Sequence, residues 1–249
     1  MLLSVLFSGC ATKEIVRPPA GATIVAQDGS GDYCSITEAV KHAQTGATIY
    51  IKPGTYHEAV ELEAVAVNLL GSGPDRTIID ADSQYAAITL ASDGNRISGL
   101  TLTGASWHGI YVKDGHQIIE NCLIFGNNDR GIYISNQFGN GTAEINHCTI
   151  VANEVSGIYA IQDTSATAIT NCIIAFNNRG IVSDETKGKM RIECNCFYNQ
   201  IQNFERGGEG HGNIEQDPKF LDPKRHDFRL ANNSPCLKAA SDNKNMGCF

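Results

Sequence analysis

From about residue 100 onward, short runs of alternating apolar and polar residues recur at a nearly fixed interval, and nothing in that region keeps a helical spacing. Ile-x-x-Cys or a close variant is followed by Asn and then by a Gly-Ile pair. The Cys and Asn members are Cys122/Asn127, Cys148/Asn153, Cys172/Asn177 and Cys194/Asn199, and the pairs begin at Gly109, Gly131, Gly157 and Gly180. A period of 22 to 26 residues built from β-branched runs marks a solenoid whose coils must stack to bury their apolar face. A leucine-rich repeat has a similar period, but it needs a Leu-x-x-Leu-x-Leu frame and these coils use Ile and Cys. The pattern therefore predicts an all-β, single-stranded right-handed parallel β-helix, with strands of about 4 to 6 residues separated by Gly, Asn or Asp corners. Within it, Ile110/Val112, Ile132/Ile134 and Ile158/Ala160 should face inward, and Tyr111, Tyr133 and Tyr159 outward.

One early segment departs from period 2. Ile36, Ala39, Val40 and Ala43 share a helical face, and Ser35-x-x-Glu38 forms a capping box, so a short α-helix is expected across the open N-terminal end of the solenoid. There it would cover a strand edge able to recruit another chain.

Composition agrees with a quasi-one-dimensional core of small and β-branched residues: 25 Gly, only 9 Phe and 1 Trp in 249 residues. A net charge of −8 argues against nucleic acid as the partner, because phosphate backbones call for a concentrated basic surface. No cofactor is called for. No apolar run reaches the roughly 18 residues of a membrane span. The first ten residues, MLLSVLFSGC, are an apolar run closing on Ser8-Gly9-Cys10 and resemble a bacterial lipoprotein signal, with Cys10 as the lipidated residue. On this reading residues 1–21 are signal and tether and 22–249 are one β-helix domain. The protein is then exported, and meets the membrane only through a lipid anchor.

Export permits disulfides among the nine cysteines. One Cys per coil, at 122, 148, 172 and 194 or 196, reads as an inward thiol column and not as a zinc site. The Asn column at 127, 153, 177 and 199 reads as a corner ladder of stacked amides.

From Gln27 to Asp80 the chain closely resembles the opening of pectin methylesterases and other members of the pectin lyase-like superfamily. The matching residues are Gly31-Asp32-Tyr33, the helix, Ile51-Lys52-Pro53-Gly54-Thr55-Tyr56 with Glu58, and Leu70-Gly71-Ser72-Gly73-Pro74-Asp75. The resemblance implies the fold; the family's chemistry lies in later motifs. Phe138-Gly139-Asn140-Gly141 resembles the tail of the nucleophile motif, yet Ser135 stands at its Asp position, and Gln162-Asp163-Thr164 resembles the acid motif but follows that segment instead of preceding it. Attack on an ester needs a carboxylate nucleophile beside a proton donor, so the expectation is a protein without the esterase constellation. Asp163 and Asp184, near one corner of neighbouring coils, are the remaining weak catalytic candidates, with solvated corner carboxylates as the alternative. A lyase would need a base and usually calcium, and the polar column Asp114, Asn136, Gln162 and Glu185 is a poor calcium site.

The position before each Gly holds His108, Arg130, Ser156 and Arg179, beside the outward Tyr111, Tyr133 and Tyr159. Aromatic faces stack on sugar C–H surfaces and Arg binds carboxylates bidentately, so these residues are expected to bind a polysaccharide, an acidic one such as a uronate polymer. An equally direct reading is a Tyr ladder that only stabilises the sheet. The expected function is glycan binding by an exported monomer; a polysaccharide lyase or esterase is the alternative, and a structural envelope protein the third. The C-terminal stretch from Asp217 to Phe249 resembles the closing segment of exported right-handed β-helix proteins. Small residues are usual there at the two positions held here by Cys236 and Cys248. If the two segments are neighbouring strands, a disulfide between them would pin the end of the solenoid.

Overall fold

The computed structural model of the chain describes residues 17–135, 140–163, 166–187, 190–205 and 210–249, with backbone alone at 162–163 and 185–187. Cys10 lies outside the described residues. The chain winds into a right-handed parallel β-solenoid of about seven turns. Each turn contributes one strand to each of three parallel sheets. Sheet A has eight strands from Thr23–Val25 to Arg191–Glu193, sheet B seven from Gly54–His57 to Cys196–Tyr198, and sheet C seven from Val60–Leu62 to Gln202–Glu205.

The interior follows the sequence pattern. Ile110, Ile132, Ile158 and Ile181 pair in register on successive coils of sheet C, and all are fully buried. Burying a side chain of that size contributes roughly 1.5–3 kcal/mol, repeated at every rung. The Gly-Ile pair has a specific geometry. A Cβ on Gly131 would sit 2.5 Å from Ile150 Cγ2, 2.6 Å from Gly157 O and 2.9 Å from Asn153 Nδ2, so Gly and the following Ile both face inward. The alternation breaks there, which turns the preceding residue, Arg130, onto the outer face.

Against those glycines runs the Asn ladder. Nδ2 of Asn127, Asn153, Asn177 and Asn199 donates to Oδ1 of Asn153, Asn177, Asn199 and Asn203, at 2.9, 3.2, 3.0 and 3.0 Å. The same oxygens accept the backbone N–H of the preceding ladder residue, and each Nδ2 also reaches a carbonyl of the coil before it, as in Asn153 to Ile124 O at 3.2 Å. Every amide thus satisfies corner groups that the sheets cannot.

The helix forms at Ile36–Lys41. Ser35 Oγ accepts from the Glu38 N–H at 3.1 Å, and Ile36 and Ala39 are buried. Its first turn is also tied to the solenoid: Glu58 accepts the N–H groups of Ile36 and Thr37 at 2.8 and 2.9 Å. A carboxylate there satisfies orphan donors at the positive end of the helix.

Three expectations need correction. The thiol column is formed by Cys122, Cys148 and Cys172, but its next member is Asn195, whose Oδ1 accepts the Cys172 N–H at 2.8 Å. The earlier coils place a left-handed residue, Gly126, Ala152 or Phe176, between the sheet B strand and the ladder Asn. The next coil runs straight from Tyr198 to Asn199, so the Cys-to-Asn count slips by one residue and Cys194 becomes the left-handed corner.

The C-terminal segment does not close the end of the solenoid. It lies along the outer side of sheet B, where Leu123, Val151, Ile173 and Ala175 form a second buried cluster with Phe220, Phe228, Cys236 and Met246. The strands Leu123–Phe125, Thr149–Val151 and Ile173–Ala175 carry apolar residues on both faces, Thr149 excepted, and need that cover.

The Cys236–Cys248 bridge is absent, and both are free thiols. The Met246 N–H donates to the Cys236 carbonyl at 3.0 Å, but the chain then turns at Gly247, and the Cys248 N–H donates to Thr149 Oγ1 at 3.2 Å. The Cys236 thiol meets that of Cys196. Thr149 and Cys196 are two rungs apart in sheet B, so the two thiols are drawn to different rungs.

Asn153→Ala removes the acceptor used by both the N–H and Nδ2 of Asn127, leaving buried donors unsatisfied; it should cost about 2–4 kcal/mol in urea unfolding. Gly131→Ala should be comparably destabilising, because its clashes are with backbone and a fixed amide. Loss below 1 kcal/mol in both would contradict this account of the corner.

Candidate functional site

The outer face of sheet C carries the described residues expected to bind ligand. Register brings the pre-Gly column together as His108, Arg130, Ser156 and Arg179, and the aromatic column as Tyr111, Tyr133 and Tyr159. The three Tyr rings lean on one another. Tyr111 and Tyr133 are stacked at 5.2 Å with an interplanar angle of 12°, and Tyr133 and Tyr159 lie 5.8 Å apart. Their faces are therefore largely spent on each other, which is the sheet-stabilising arrangement.

The open aromatic surface is one position earlier. Tyr85 and Trp107 occupy successive rungs, with ring centroids 6.0 Å apart and planes inclined by 30°, and they are 49% and 51% exposed. Sequence reasoning missed both, although Trp107 is the single tryptophan and directly precedes His108. The coil alignment would have exposed the pair, because the His108 N–H donates to Tyr85 O and the Arg130 N–H to Trp107 O.

His108 sits beneath this pair, 1% exposed, with the rings of Tyr85, Trp107, Tyr111 and Tyr133 within 4.9–6.1 Å. Tyr85 Oη is 3.3 Å from Nε2, while Nδ1 has no hydrogen-bond partner and lies 3.8 Å from Asp129 Oδ2. Burial, reinforced by the Arg130 charge, lowers its pKa to about 3, so the imidazole is neutral at ordinary pH. Arg130 Nε and Ser156 Oγ, on the next two coils of the same column, are also buried without partners. Arg179 Nε, next in the column, also lacks a well-aligned hydrogen bond despite its ion pair, and buried polar atoms are normally satisfied, so the column marks a surface that expects a ligand or water.

The two arginines are not free. Arg130 pairs with Asp129, and its guanidinium carbon lies 4.4 Å from the Tyr159 ring centroid and 5.1 Å from that of Tyr133. Burial raises the Asp129 carboxyl above the usual carboxylate range, against the pull of Arg130. Arg179 Nε is 2.6 Å from Glu205 Oε2.

The weak catalytic pair is not brought side by side. Asp184 pairs in register with Ile161, whereas Asp163 pairs with Lys187. Ser135 is buried at the end of its strand, Phe138 and Gly139 fall outside the described residues, and so does Asn136 of the polar column. Asp114 of that column is already engaged, accepting the N–H groups of Gly115 and Asn140, each at 2.8 Å. Beyond Tyr159 the face opens into a depression of about 260 Å³ lined by Val155, Tyr159, Arg179, Val182, Ser183, Asp184 and Glu205. A larger one of about 440 Å³ lies elsewhere, between sheet B and the C-terminal hairpin.

The family described as right handed beta helix region matches residues 86–212, just over half of the chain. The chain belongs to this right-handed β-helix family. The family described as pectinesterase matches residues 22–105, the β-helix coils that precede most of the face just described. Among curated relatives, pectinesterase 2 of Citrus sinensis is 27% identical over 182 residues, covering 57% of this chain and 34% of the relative. Pectinesterase 1 of Solanum lycopersicum is 38% identical over 84 residues, 28% of this chain and 15% of the relative. The chain thus spans about a third or less of these two proteins. The pectin methylesterase of Aspergillus niger in deglycosylated form superposes with a TM-score of 0.53 at 17% identity, over 81% of this chain and 88% of that one, a likeness of fold.

The environment of His108 has a testable consequence. The folded state keeps it neutral down to about pH 3, while the unfolded chain protonates it near 6.5, so unfolding takes up a proton between those values. Its contribution to stability is full above pH 6.5 and is lost as pH falls toward 3, on the order of 5 kcal/mol in all. In an NMR titration the His108 ring signals should stay fixed from pH 8 to 5. A midpoint near 6.5 would contradict its burial.

Proposed function

We propose that this chain is a polysaccharide-binding β-helix that holds a glycan along the outer face of sheet C. The reading rests above all on the exposed Trp107–Tyr85 pair, set over a column of buried, unpartnered polar atoms. Exposed aromatic side chains grouped on one face are characteristic of recognition surfaces. Rungs about 4.8 Å apart offer repeated contacts to a polymer lying along the axis. The pectinesterase names of its relatives support a polysaccharide as the ligand class.

A second reading, a carbohydrate esterase, is favoured by one observation: the Asp129 carboxyl, raised by burial, lies beside Arg130 and His108. Ester attack requires a carboxylate nucleophile beside a proton donor, and the position that the esterase resemblance gives to that nucleophile is held by Ser135. Binding without turnover is therefore the leading reading.

Electrophoresis through gels containing dissolved polysaccharides separates these readings when combined with methanol release from methyl-esterified pectin. The protein should be retarded by at least one glycan and release no methanol. Trp107→Ala/Tyr85→Ala should weaken retention at least about tenfold, and Trp107→Ala alone should weaken it with little change in melting temperature, because Tyr85 also holds His108 Nε2. Methanol release abolished by Asp129→Asn would establish the esterase instead. Full retention by the double variant would remove the proposed surface.

A further inference from the structure

The charges on the outer face of sheet C bear on which polysaccharide it accepts. Three cationic side chains are described there, and each has an intramolecular carboxylate: Lys113 with Glu63 at 3.6 Å, Arg130 with Asp129, and Arg179 with Glu205 at 2.6 Å. Arg130 is further committed, since the rings of Tyr133 and Tyr159 flank its guanidinium. Each arginine charge is already balanced by a carboxylate at hand, so a uronate reaching the remaining N–H donors, such as Arg130 Nε, would add a second negative charge to the pair.

Two further carboxylates lie on or beside the same face. Glu61 is exposed and shares the rung position of Tyr111, through the register Glu61 to Thr89 to Tyr111. Glu154, also exposed, stands close enough to Asp129 to raise its pKa. The described side chains of the face thus carry more carboxylates than cations, on a chain whose net charge is −8. A polyanion would be repelled at every approach along the solenoid axis.

Among the described residues, the exposed rings on this face are uncharged, Trp107 and Tyr85, and they cover the buried His108 imidazole. Rings offer stacking to sugar C–H faces, and the half-exposed Tyr85 hydroxyl offers a hydrogen bond to a sugar hydroxyl.

We propose that the polysaccharide held on this face is neutral, a polymer of unmodified hexoses or pentoses, and that the intramolecular pairing of Arg130 and Arg179 excludes uronate polymers. The inference rests on the glycan-binding reading above and narrows it. It replaces the acidic ligand expected from the arginines alone.

The test compares retention in gels containing mannan, galactan, arabinan or β-glucan with retention in polygalacturonate and in chitosan, at low and at physiological salt. Retardation is expected in at least one neutral gel, unchanged by salt, with none in polygalacturonate even at low salt. Glu61→Gln/Glu154→Gln should bring polygalacturonate retention up to a measurable level at low salt, because it removes two of the repelling charges. Salt-sensitive retention on polygalacturonate or on chitosan, with none on the neutral polymers, would overturn the neutral assignment and leave glycan binding standing. Absence of retention on every polymer would overturn both.

Discussion

The structure depends on the column of asparagine amides at the corner between sheets B and C. A parallel solenoid turns its backbone sharply at every corner, and each turn leaves N–H and C=O groups that the sheet ladders do not reach. Asn153, Asn177 and Asn199 answer this with one repeated arrangement, in which each Oδ1 accepts from the backbone and side chain of the ladder Asn on the coil before, while Asn127 starts the column and Asn203 ends it. The ladder requires glycine opposite it, and glycine in turn breaks the in-out alternation. Consequently the pre-Gly residue emerges beside the outward Tyr on the same face. One corner interaction therefore decides what sheet C can present to a ligand.

The three sheets divide the remaining work. Sheet A begins beside the N-terminal helix, whose first turn Glu58 fastens, and sheet B disappears under the C-terminal segment. Sheet C is the face with stacked polar and aromatic columns, an exposed ring pair and buried polar atoms lacking partners. Its arginines are held internally, so recognition falls to stacking and to neutral hydrogen-bonding groups, and charge acts as an excluding element.

Much of this architecture was legible in the sequence because it repeats: the inward Ile columns, the outward Tyr, the Asn ladder and the capping box each obey a short local rule. Failures came where a long-range contact or a single-residue change in spacing decided the outcome. The thiol column ends at Cys172 because one corner residue is missing after Tyr198, and Cys236 meets Cys196 because the C-terminal segment covers a side of the solenoid and not its end. At the candidate site, the Tyr column was found but Tyr85 and Trp107 were not, since they precede the strands and carry no repeat. The arginines were read as free because their partners, Asp129 and Glu205, occupy corners and a neighbouring coil that no single motif contains.

Because Trp107 is the only tryptophan, its fluorescence reports this surface without a label. Titration with oligosaccharides of mannose, galactose and glucose should shift its emission to the blue and shield it from acrylamide quenching for at least one of them, while oligogalacturonate leaves it unchanged. If all of these leave the emission and quenching unchanged, or if oligogalacturonate alone alters them, the account of sheet C as a face for neutral glycans is contradicted.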